Sequence, residues 1–126
     1  MRVYLDTSAA VKLLRVEAES AAMRVFAGRS DVELVGTFLL ETELRRFAGR
    51  QPISQTDVTQ VLDGISLFSL EDSDFAAAGL LPGFMRSLDA LHVQGALALG
   101  ADQVATYDAQ MVTACGLVGL RVVSPK

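Results

Sequence analysis

Short runs of strand-forming residues alternate with helix-length segments along this chain. Such alternation restricts the fold to α/β, a parallel sheet covered by helices on both faces. The first run, RVYL, ends at Asp6. Further strands are expected over 33–35, 65–70, 103–106 and 121–123, about five in all. Helices are expected between them. The first is capped by Thr7 or Ser8, with Ala9, Ala10, Leu13 and Leu14 on its apolar side. Others cover 18–26, 38–48 after a cap near Thr37, 54–62, 72–78, 88–99 behind Ser87, and 109–114. Gly28, Gly49, Gly100 and Gly116 follow four of these segments as stop signals. Residues 80–86 contain Pro82 and Gly83 and read as a loop.

Hydrophobic residues make up 51% of the 126 residues, which places the chain among folded globular proteins. No Pro-rich, Ser-rich or like-charged run marks a linker, so one domain over 1–126 is expected. No apolar stretch is long enough to cross a membrane. An acid stands in MRVYLD where a signal peptide would place its apolar region, and the expected location is cytoplasmic. The lone Cys115 has no partner for a disulfide and no metal-ligand spacing. The net charge of -4 argues against holding nucleic acid through the overall field. It leaves room for a local basic patch. Arg45, Arg46 and Arg50 fall close together, and Lys12 and Arg15 follow Asp6, which makes Lys12, Arg15, Arg45 and Arg46 candidates for holding nucleic-acid phosphates.

Four acids stand where a carboxylate needs a reason. Asp6 and Asp108 each close a short apolar run. Ligands on parallel sheets lie beyond the carboxyl ends of the strands, where both are expected. Thr7 and Ser8 are competent caps, which frees Asp6 for another task. Glu43 borders a helix stripe made by Leu39, Leu40, Leu44 and Phe47, where a carboxylate is costly without a cation or donors. A salt bridge to Arg46 or Arg50 is the plain alternative. Asp89 opens a helix, where the helix dipole alone favours it. His92 follows one turn later on an apolar face and reads as a packing or supporting residue. Acids collected at one sheet edge repel unless neutralised, and an oxygen-rich set suits Mg²⁺ or Mn²⁺.

VYLDTSAAVK, LETELRRFAG, SLDALHVQGALALGAD and VATYDAQMVTACGLVGLRVVSP, taken in order, resemble the PIN-domain family and within it the VapC toxins of bacterial toxin–antitoxin pairs. The resemblance implies a three-layer PIN-like sandwich. It maps the family's acids onto Asp6, Glu43, Asp89 and Asp108 as catalytic and metal-binding residues, with Ser8 and Thr106 in support. It also implies an endoribonuclease dependent on Mg²⁺ or Mn²⁺ that cuts a structured RNA such as tRNA or rRNA. A homodimer and a neighbouring VapB-type antitoxin are implied as well. Gln94 and Gly95 depart from the Ala-rich run usual after His92. Glycine inside a helix costs about 1 kcal/mol against alanine, so close packing or a bend is expected there.

Other readings fit less of the chain. A haloacid dehalogenase-type phosphatase needs a second Asp at position 8, which is Ser8. A receiver domain needs a clustered acidic pair and a late Lys. An inactive PIN domain serving as an RNA- or protein-binding module is the remaining alternative.

Overall fold

Alternation in the first strand divides the core in two. In the computed structural model, which describes residues 1–126, Val3 and Leu5 join one apolar cluster and Tyr4 joins the other. Successive strand residues point to opposite faces, so a single strand can bury both its sides. That requires a helical layer on each face.

The elements in chain order are β1 (Arg2–Leu5), α1 (Thr7–Leu14), α2 (Ser20–Ala27), β2 (Glu33–Thr37), α3 (Phe38–Gly49), α4 (Gln55–Asp63), β3 (Ser66–Phe68), α5 (Asp72–Gly79), α6 (Ser87–Ala98), β4 (Gln103–Ala105), α7 (Ala109–Leu117) and β5 (Val122–Val123). All five strands are parallel, in the order β3-β2-β1-β4-β5. Helices α1 to α4 supply Ala9, Met23, Leu40, Leu44, Val58 and Leu62 to the cluster shared with Val3 and Leu5. Helices α6 and α7 supply Val93, Ala96, Met111, Ala114 and Cys115 to the cluster shared with Tyr4. The three-layer sandwich expected from the sequence is present.

Leu44 is fully buried in the first cluster. Leu44→Ala leaves a cavity there and is expected to cost about 2–5 kcal/mol, read as a lower denaturation midpoint at unchanged slope.

Several expected boundaries shift. The third strand is three residues long rather than six, pairing Ser66–Phe68 with Val35–Thr37 of β2. Ile65 packs into the core just before it. The last helix runs through Gly116, and the backbone instead turns at Gly119, where φ is 77°. Helix α6 begins at Ser87 itself, with Arg86 in the capping position. Helix α1 is capped by Asp6, whose side chain accepts from the Ala9 N–H, and not by Thr7 or Ser8. The capping residue must precede the first helical residue, and Thr7 already has helical conformation.

The chain moves outward from β1 to β2 and β3, then returns to place β4 on the other side of β1. The crevice between β1 and β4 is therefore a topological switch point. Asp6 follows β1, and Asp108 lies just beyond β4.

Candidate active site

A cleft of about 310 Å³ opens at this crevice. Asp6, Glu43, Asp89 and Asp108 all line it, with Thr7, Ser8, Arg86 and His92. Four acids spread over the chain are thus brought together by the switch point, the start of α6 and the middle of α3.

Asp6 is the most constrained of them. It is 4% exposed and receives hydrogen bonds from Ser8 Oγ (2.7 Å), Thr106 Oγ1 (2.5 Å) and the Ala9 N–H (3.1 Å). Burial raises its pKa above the ordinary carboxylate value, and these donors pull against that rise. Ser8 and Thr106 do more than support Asp6. Ser8 Oγ also accepts from the Tyr107 N–H at 2.9 Å, and Thr106 Oγ1 from the Asp108 N–H at 3.1 Å. The two hydroxyls lace the β1–α1 junction to the β4–α7 junction. Asp108 caps α7 through the Gln110 N–H while its other oxygen faces Arg86.

Arg86 is the residue that the sequence did not point to. Its Nε donates to Asp89 at 2.8 Å and its Nη2 to Asp108 at 3.2 Å. The guanidinium spans two of the four acids, and the Asp89 contact raises its pKa further. Its position three residues before Asp89, across the start of a helix, is the only signal that could have found it.

Glu43 makes neither the Arg46 nor the Arg50 salt bridge. Its Oε1 meets His92 Nε2 at 2.5 Å instead. His92 is buried and its Nδ1 lies 2.7 Å from Tyr4 Oη. The basic candidates mostly have other work. Lys12 is held by Glu17 (3.1 Å) and Glu19 (2.7 Å) and sits over the Tyr107 ring. Arg15 pairs with Glu17 and stacks on Phe47. Arg45 is tied to Glu41, Gln55 and Thr59. Arg46 is exposed and has no ion pair or side-chain hydrogen bond, so it alone of the four remains free for phosphate. Cys115 is buried, and burial pushes its thiol up to about 11, which leaves it protonated and inert at neutral pH.

The donor set suits a hard divalent cation, being carboxylate and hydroxyl oxygen throughout. Thr7 also lines the cleft, and its hydroxyl oxygen is buried with no hydrogen-bond partner in the chain. The acids are nevertheless splayed, and no three acidic, His or Cys side chains converge on one point. Arg86 supplies the compensating charge for Asp89 and Asp108, so an ion held by those two acids would have to displace it.

The PIN-domain family model matches residues 3–117. This chain belongs to the PIN-domain family. PIN-domain relatives include Ribonuclease VapC46 of Mycobacterium tuberculosis, 34% identical over 134 residues, covering 98% of this chain and 97% of that protein. Ribonuclease VapC47 of the same species is 32% identical over 132 residues, covering 98% and 96%. Among solved structures, the PIN fold here matches VapBC2 from Rickettsia felis, bound to a DNA fragment from their promoter, with a TM-score of 0.77 at 14% identity. That match covers 100% of both chains. It also matches Mycobacterium tuberculosis VapC20, described as a Sarcin-Ricin loop cleaving toxin, with a TM-score of 0.72 at 13% identity over 89% of this chain and 94% of that one.

Proposed function

We propose that this chain is a VapC-type toxin: an endoribonuclease dependent on Mg²⁺ or Mn²⁺ that cuts structured RNA such as tRNA or rRNA and so blocks translation. The observation that carries this reading is the convergence of Asp6, Glu43, Asp89 and Asp108 on one cleft at the switch point, with Asp6 buried and triply hydrogen-bonded. The named relatives supply the reaction class. In the cell the site lies in the cytoplasm, within a single domain over 1–126.

Asp6, Asp89 and Asp108 would hold the cation, with Glu43 at the rim. When bound, the cation acidifies a water and neutralises charge developing on the phosphate. Ser8 and Thr106 keep Asp6 aimed at the cleft. Glu43 takes a proton from the attacking water, whose oxygen joins phosphorus as the bond to the leaving oxygen breaks. That leaving oxygen ends with the proton. Arg46, and Arg86 once displaced, hold neighbouring phosphates.

Regulation fits the surface beside the cleft. A groove of about 610 Å³, lined by Phe84, Met85, Ala109, Ala114 and Leu117, shares Arg86 and Asp89 with it. Phe84 is fully exposed and Leu117 half-exposed. An apolar surface continuous with the site supports a VapB-type antitoxin seated across it, and the chain pairs as a homodimer.

The test is incubation of the purified chain with total RNA in Mg²⁺, in Mn²⁺ and in chelator. Cleavage that needs metal is the expected result. No cleavage together with no metal binding by calorimetry would favour the inactive-module alternative. Arg86 gives a separate check: Arg86→Gln removes the competing cation and is expected to tighten Mg²⁺ binding about tenfold, equivalent to about 1.4 kcal/mol. Calorimetry showing weaker binding would make Arg86 a support of the metal site and not its competitor.

A further inference from the structure

Beneath the cleft, four polar groups from four elements lie end to end. Thr37 Oγ1, at the end of β2, is 3.5 Å from Tyr4 Oη on β1. Tyr4 Oη is 2.7 Å from His92 Nδ1 on α6, and His92 Nε2 is 2.5 Å from Glu43 Oε1 on α3. Thr37, Tyr4 and His92 are at most 3% exposed. Polar groups this deep are costly unless every one is satisfied, and here the string satisfies them in series.

The direction of the string follows from its members. A carboxylate only accepts, so the Nε2–Oε1 contact calls for the ring proton of His92 on Nε2, pointing at Glu43. Nδ1 is then left to accept from the Tyr4 hydroxyl. The Tyr4 and His92 rings meet edge to face, at 5.7 Å and 73°, which fixes the imidazole plane. Gly95, one turn along α6, leaves the Tyr4 hydroxyl its space, since a Cβ there would stand 3.1 Å from Tyr4 Oη. Glu43 Oε2 has no hydrogen-bond partner in the chain, and Glu43 lines the cleft.

We propose that His92 is the positioning residue for Glu43: it holds Oε1 so that Oε2 meets the attacking water, while Tyr4 and Thr37 lock the imidazole in the Nε2–H tautomer. This rests on the ribonuclease reading of the cleft. A ligand's orientation set by a second residue's N–H, itself fixed by a third, is a recurrent device in hydrolytic sites. His92 is almost wholly buried behind Glu43, so its effect is expected on turnover and not on binding.

The experiment uses the full chain and pairs kinetics with spectroscopy. His92→Phe keeps a ring and removes both nitrogens; His92→Gln keeps an N–H that reaches toward Glu43. His92→Phe is expected to lower kcat about 10–100-fold. KM for RNA stays unchanged, and His92→Gln recovers part of the loss. Nitrogen NMR of the metal-free wild type should show the imidazole proton on Nε2, and Tyr4→Phe should weaken that preference. A wild-type proton on Nδ1 overturns the proposal even if the variants fail to fold. Active wild type with equal kcat in His92→Phe overturns this inference alone. Inactive wild type overturns the ribonuclease reading and the inference with it.

Discussion

Asp6→Asn is expected to lower RNA cleavage by about 10³-fold or more while the fold persists. Several kcal/mol of transition-state stabilisation pass through a central carboxylate that holds a cation, and each 1.36 kcal/mol is tenfold in rate. The fold persists because asparagine caps a helix about as well as aspartate. Its amide oxygen accepts from Ser8 and Ala9, and the Thr106 hydroxyl can turn to accept from the amide nitrogen. Stability should move in a telling direction. The raised pKa of Asp6, caused chiefly by burial, means the folded chain holds this proton to a higher pH than the unfolded chain does. Wild-type stability therefore falls, relative to Asp6→Asn, as pH rises from the ordinary carboxylate value through the folded one, and the penalty is complete above it. In chelator at neutral pH the variant should melt at the same temperature as the wild type or higher, and the difference should shrink toward acid pH. Added Mg²⁺ should reverse it, because the ion stabilises only the chain that binds it. Cleavage by Asp6→Asn at the wild-type rate would remove Asp6 from the chemistry.

Gly95→Ala is expected to destabilise the chain, against the trend of helix propensity. Alanine gains about 1 kcal/mol over glycine inside a helix. But a Cβ at this position would lie 2.9 Å from Thr37 Cγ2, 3.1 Å from Tyr4 Oη and 3.3 Å from Tyr4 Cε2. All three atoms belong to buried side chains that are packed on every side. Overpacking of that kind costs about 1–3 kcal/mol, which equals or exceeds the propensity gain. Gly95→Val adds two more carbons and should fall further, with melting lowered by about 4 °C per kcal/mol. Displacing Tyr4 also disturbs His92, so cleavage should weaken along with stability. A melting temperature raised by Gly95→Ala would show that Tyr4 and Thr37 yield easily. The glycine that departs from the family's Ala-rich run is thus explained by close packing: α6 runs unbroken through it.

Much of this was written in local pattern. Strand-forming runs ending at Asp6 and before Asp108, with helix-length segments between them, are enough to specify a parallel sheet with helices on both faces. Both acids then stand beyond strand ends for the same reason. Glu43 at the border of an apolar stripe was legible because helical spacing alone shows which residues share a face. The partners were not legible. Thr7 and Ser8 looked like caps because cap preference is a statement about residue type, whereas the backbone makes Asp6 the cap and turns Ser8 back to hold it. Lys12, Arg15 and Arg45 looked available because sequence shows charge and not its counter-charge. Arg86 sat in a loop without pattern, and its role depends on where α6 and α7 begin in space. His92 read as a packing residue because Tyr4 and Glu43 lie 88 and 49 positions away from it. Periodicity and terminal signals therefore determined the layers and the sheet edge where the acids collect. Only the tertiary structure decided which groups satisfy one another there, since a buried carboxylate, imidazole or phenol takes its partner from whichever distant element packing brings within about 3 Å.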